Sequence, residues 1–118
     1  AMKDVISHFT VNEKTYPLAF TLNVLEEIQE EYGSYEEWGR LTDSKEKEVN
    51  IKALKFGIKA MINEGIDIEN ENKEEKQAFV DSKLVGRIIT DLGLKEIAEK
   101  ANEVVINSTK VEDTQKNA

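Results

Sequence analysis

Few side chains in this sequence are equipped for chemistry, and they do not assemble into a recognisable set. There is one histidine, His8, and no cysteine. Zinc sites draw on several His or Cys ligands, so none is expected. His8 falls in an alternating stretch and reads as a surface or edge-strand residue. Ser, His and Asp all occur, yet no G-x-S-x-G turn is present to expose a nucleophile. Neither G-x-x-x-x-G-K-S/T nor G-x-G-x-x-G occurs, so no phosphate cradle is expected. Asp67, Glu69 and Glu71 alternate like the start of a calcium loop. In that loop a glycine follows the acids, whereas Gly65 precedes them here. No catalytic residue, metal ligand or cofactor site is expected, which leaves protein contact as the working principle.

The residues suited to contact cluster early. Positions 26 to 37 hold six Glu and no Lys or Arg. Glu26/Glu30 and Glu27/Glu31 are like-charge i,i+4 pairs, each unfavourable by about 0.2–0.5 kcal/mol. Glu30 and Glu31 also stand near a helix C-terminus, the wrong end for negative charge. Such a face serves either solubility or the steering of a basic partner. Tyr35 and Trp38 lie among charges, where aromatics can anchor a partner. Core packing is the better use for the one Trp of a small domain. Glu26, Glu27, Glu30, Glu31, Tyr35 and Trp38 are the candidate protein-contact residues.

The elements that must position them can be read from periodicity. Val5, Ser7, Phe9 and Val11 alternate, Asn12-Glu13-Lys14 suits a turn, and Tyr16, Leu18 and Phe20 line one face of a second strand. Pro17 restricts that strand to an edge, or turns its N–H side outward. A lone hairpin is marginal in water, so it must lie on helices. Thr21 should cap a first helix that places Leu22, Leu25, Ile28 and Tyr32 on one stripe and stops at Gly33. Ser34 and Glu37 have capping-box spacing ahead of a short second helix. Asp43 and Glu46 repeat it ahead of a third, expected over about 44–64 and closed by Gly65.

That third helix carries two opposed apolar stripes. Ile51, Leu54, Ile58, Met61 and Ile62 form one; Val49, Ala53, Phe56 and Ala60 form the other. A surface helix has one stripe, so this helix should be central. Gly57 costs it about 1 kcal/mol in helix propensity, which points to a close packing contact. Lys52, Lys55 and Lys59 fill the strip between. Residues 66–76 are a polar break. Asp81 or Ser82 should cap a fourth helix through Leu84, Val85, Ile88, Ile89 and Leu92. After Gly93, a fifth should carry Leu94, Ile97, Ala98, Ala101 and Val105 to about Asn107. The expected architecture is mainly α (α+β): an N-terminal β-hairpin packed on a compact bundle of about five helices. Residues 3–107 form one domain, and 108–118 are expected to be a disordered tail.

Composition limits the function classes. The 118 residues carry a net charge of −8, and 39% are hydrophobic, enough for a core. Nonspecific nucleic-acid binding needs a positive footprint, so it is not expected. No apolar run approaches the roughly 18 residues of a membrane span. The start has neither a basic n-region nor an apolar h-region, so no secretory signal is expected, and Ala1 before Met2 is expected to be foreign to the fold.

Lys14, Tyr16, Leu18 and Phe20, followed by a helix ending Tyr32-Gly33-Ser34, are similar to the opening of tail assembly chaperones of long-tailed bacteriophages and prophages. The later stretch around Val85-Gly86-Arg87-Ile88-Ile89 resembles that family's closing helices, and the likeness covers most of residues 3–107. The family has no catalytic residues to carry over. The resemblance implies a non-catalytic assembly factor in the host bacterial cytoplasm, with the tape measure protein and tail tube subunits as partners and self-association allowed. It also implies that the chain corresponds to the short form of a chaperone often made with a frameshifted longer form. A small acidic adaptor or inhibitor that fills a basic cleft, as a nucleic-acid mimic would, is the alternative expectation.

Overall fold

Among the described residues two strands and five helices follow one another: β1 (Ile6–Val11), β2 (Lys14–Ala19), α1 (Leu22–Tyr32), α2 (Tyr35–Thr42), α3 (Ile51–Asn70), α4 (Ser82–Leu92) and α5 (Leu94–Asn117). The structure is a computed structural model; it describes residues 6–43 and 48–117, with side chains up to Ser108. The architecture is the expected α+β arrangement, a two-stranded antiparallel hairpin on a helical bundle.

The hairpin pairs Ile6 with Ala19 through to Val11 with Lys14. Its turn is Asn12-Glu13, with φ of 50° and 68°, the pattern of a type I′ turn. Val11 and Lys14 flank a two-residue turn and so exchange both hydrogen bonds. Counting back by twos makes His8–Pro17 a non-bonded pair, and the missing N–H of Pro17 removes no ladder bond. Glu13 bears the strain, because a side chain in the left-handed region costs about 1–2 kcal/mol, part of which glycine returns as chain entropy. Glu13→Gly should therefore stabilise the domain by about 0.5–1 kcal/mol and raise Tm by a few degrees. A lowered Tm would contradict this turn geometry.

β2 is covered on both sides, since Pro17 and Ala19 are buried as well as Tyr16 and Leu18. Apart from β1, its main neighbour is α3. A Cβ added to Gly65 would stand 2.8 Å from the Pro17 Cβ, so the glycine lets strand and helix touch. This corrects the reading of Gly65 as a helix stop: it is buried inside α3, which continues to Asn70. The start of α3 also moves. Asn50 caps it by accepting from the Ala53 N–H at 3.0 Å, and Asp43 instead follows α2 as its C-cap. Glu46, its expected capping partner, lies outside the described residues.

α3 is central as expected, with β2, α1, α2 and α4 around it. Leu54, Ile58, Met61 and Ile62 are buried, as are Ala53 and Ala60 on the other stripe; Ile51 is exposed and Phe56 half-buried. Gly57 has the predicted packing reason. A Cβ there would fall 2.1 Å from the Trp38 ring, so the indole of α2 occupies a notch in α3. The Trp38 Nε1–H donates to the Ala53 carbonyl at 2.7 Å, one turn earlier on the same helix.

Three further expectations are corrected. In α1 the core side is Val24 and Ile28, and Leu22 is 73% exposed. Thr21 is the N-cap of α1 and its carbonyl accepts from the Leu25 N–H at 3.0 Å, but its side chain makes no capping bond, because the hydroxyl donates to the Glu64 carboxylate and ties α1 to α3. α5 does not end near Asn107: the helix runs on to Asn117, through a stretch without Gly or Pro to interrupt it. Ser108, expected to begin a disordered tail, donates its Oγ–H to the Phe20 carbonyl at 3.0 Å. Elsewhere Ser34 caps α2, Asp81 caps α4, and Gly33 and Gly93 end α1 and α4 with φ of 88° and 104°.

Candidate protein-contact surface

α1 presents the glutamates outward because Val24 and Ile28 turn its opposite side into the core. Glu26, Glu27, Glu30 and Glu31 are all exposed, and none has an ion-pair partner among the described residues. The aromatic candidates sit differently. Tyr35 is half-buried between Phe20 and Trp38, with ring centroids 5.7 and 5.8 Å away. Trp38 is 5% exposed and committed to the α3 notch, so no ring face is left to meet a partner. Its place among the contact candidates is corrected accordingly: it is a packing residue of the core.

Burial, and after it the Glu36 charge, holds the Tyr35 phenol above its ordinary 10.0; burial and then Glu31 do the same to Tyr32. A phenol raised on folding contributes stability that is fully present below about pH 10 and is lost as pH climbs through the folded value. Tyr35→Phe should therefore flatten the alkaline fall of the urea midpoint. An equally steep fall in the variant would place its origin in other groups.

The glutamate face leads into an open groove of about 500 Å³ between α1, α3 and the connector that precedes α4. Phe56, Ala60 and Val80 supply its apolar lining, and Phe79 stands at it 59% exposed. Four carboxylates, of Glu27, Glu64, Asp67 and Asp81, face one ammonium, that of Lys59. Two of the four have structural duties. Glu64 accepts from Thr21 and from the Asn23 amide at 3.1 Å, and Asp81 accepts from the Leu84 N–H at 2.8 Å. Glu27 and Asp67 have no hydrogen-bond or ion-pair partner among the described residues.

The connector wall of the groove is fastened to α3 by two side-chain amides. Asn63 accepts from the Val80 N–H at 2.8 Å and donates to the Val80 carbonyl at 3.0 Å. Asn70 does the same to Gln77, at 2.9 and 3.0 Å. Seven helical residues span about 10.5 Å, and three extended steps span about 10 Å, so the two clamps match in length. Residues 77–80 thus lie antiparallel along α3.

Of the contact residues named from sequence, only Glu27 reaches this groove. Phe79, Asp67 and the two clamping asparagines were not among them. Their signal was modest: an apolar Phe-Val pair after a long polar run, and two Asn seven residues apart in a helix where Asn is a poor former. No group of three His, Asp or Glu among the described residues is placed to hold a metal. Glu69, from the calcium-like run, is instead 2.7 Å from His8 Nε2 and joins the hairpin to α3. No described helix is long and apolar enough to cross a membrane. Comparison with protein-family models, with curated proteins and with solved structures finds no match to this chain.

Proposed function

We propose that the protein is a tail assembly chaperone of a long-tailed bacteriophage or prophage. It acts without catalysis in the bacterial cytoplasm, holding the tape measure protein and engaging tail tube subunits while the tail is built. The observation that carries this proposal is the shared pattern of Lys14, Tyr16, Leu18, Phe20 and Tyr32-Gly33-Ser34, with Val85-Gly86-Arg87-Ile88-Ile89 later. Further support comes from where those residues sit. Tyr16 and Leu18 bury the hairpin, Gly33 turns α1 into α2, and Val85, Ile88 and Ile89 bury α4. A tape measure protein is long and helical, and its apolar stripes aggregate unless covered. Coexpression with the tape measure protein encoded nearby should keep that client soluble and yield a copurifying complex.

The surplus of exposed carboxylates favours a second reading, an acidic adaptor or inhibitor that fills a basic cleft. The two part company in one experiment. If the tape measure protein stays insoluble and uncomplexed, while a DNA-binding protein is captured and released by duplex DNA, the inhibitor reading replaces the chaperone.

A further inference from the structure

Phe79 is an apolar ring held in water by a rigid mount. In an extended segment successive side chains point to opposite sides, so burying Val80 turns Phe79 outward. The segment cannot easily roll over, because Asn63 holds both backbone groups of Val80 and Asn70 both of Gln77. Rolling would exchange four hydrogen bonds for none and bring Val80 into water. The ordering of this segment is thus complete before any partner arrives, which removes much of the entropy that a mobile loop would lose on binding. Across the groove Phe56 offers part of a second ring, braced edge-on by Tyr32 at 5.5 Å. Glu27 and Asp67 supply negative charge with no partner of their own among the described residues.

The geometry points to this groove as the docking site for a cationic amphipathic segment of another protein. One large apolar side chain of that segment enters between Phe56 and Phe79, and flanking Lys or Arg residues meet Glu27 and Asp67. Charge complementarity selects this occupant. A second copy of the same acidic region would set carboxylate against carboxylate, and a nucleic acid would do the same with phosphate. The inference rests on the reading that the protein works by contact, and it names the surface used.

The test is a titration of the ¹⁵N-labelled full chain with an 18-residue amphipathic peptide of Leu and Lys, and with its Leu and Glu counterpart. The cationic peptide should shift amides at Glu27, Asp67, Phe79 and Val80. The anionic peptide should shift none. Phe79→Ser and Asp67→Lys each alter an exposed side chain and should leave the fold intact while weakening the cationic peptide by about tenfold or more. Leu22→Ser, exposed on α1 outside the groove lining, should leave its affinity unchanged. Shifts confined to the Glu26, Glu30 and Glu36 surface, or an unaltered affinity in Phe79→Ser, would overturn the inference. The tape measure client separates the two proposals. Client capture equal in wild type and Phe79→Ser overturns the groove and leaves the chaperone standing. Peptide docking at the groove without client capture does the reverse.

Discussion

Replacing Trp38 with alanine should lower the free energy of unfolding by about 3–5 kcal/mol, the usual cost of emptying a buried aromatic site. For a small domain this is a large share of a total of about 5–15 kcal/mol. The indole fills the notch that Gly57 leaves in α3, its N–H is bonded to the Ala53 carbonyl, and Tyr35 packs beside it. α2 has eight residues and buries no other side chain fully, so its docking depends on this ring. A fall in the urea midpoint, followed by far-ultraviolet circular dichroism, measures the loss. The reciprocal change sharpens the test. Gly57→Ala should destabilise the wild type, because about 1–3 kcal/mol of overpacking outweighs about 1 kcal/mol of helix propensity. In the Trp38→Ala background the clash is gone, and the same methyl should stabilise. A neutral or stabilising Gly57→Ala in the wild type would mean that the ring does not lie in the notch.

Leu54→Ala should cost about 2–5 kcal/mol, since Leu54 is fully enclosed on the side of α3 that faces the core. Phe56→Ala should cost less, about 1–2 kcal/mol, because only part of its ring has left water. The ordering matters more than either value. Two opposed stripes on one helix predict large losses on both sides, whereas the groove leaves the Phe56 side half open. If Leu54→Ala unfolds at the wild-type midpoint, α3 is not the centre of the bundle. If Phe56→Ala costs as much as Leu54→Ala, the groove is closed by a contact not seen around the ring.

What the sequence made legible was governed by local rules. Alternation located the hairpin, Ser34 and Asp81 announced their helices, and a propensity-breaking Gly57 announced a close contact. The same residue type misled at Gly65. Its partner, Pro17, belongs to a strand remote in sequence, and nothing near position 65 distinguishes a notch from a stop. Asp43 misled outright, and Thr21 in its side chain alone, for a related reason. Both types cap helices well, but the Thr21 hydroxyl was taken by Glu64, and Asn50 stood closer to the true start of α3. Leu22 was assigned inward because it shares a stripe with Leu25, Ile28 and Tyr32, whereas the buried side of α1 runs through Val24 and Ile28. In the groove, Glu27 was legible because its charge context is local. Phe79 was not, because its exposure follows from two asparagines on another element. The amide clamps exist only once the connector has returned along α3.

The bond from Ser108 to the Phe20 carbonyl joins residues 88 positions apart. Translation fixes when it can form. At about 5–20 residues per second, a ribosome needs about 4–18 s to synthesise the span between them. In the later part of that interval, once α3 has been made, the hairpin has α3 as a partner but not the completed α5, which contacts both strands in the finished fold. The nascent chain is thus expected to settle in two stages, hairpin onto α3 and then a latch from the far end. A ribosome halted after α3 but before residue 108 would leave the first stage free to complete and the latch unset.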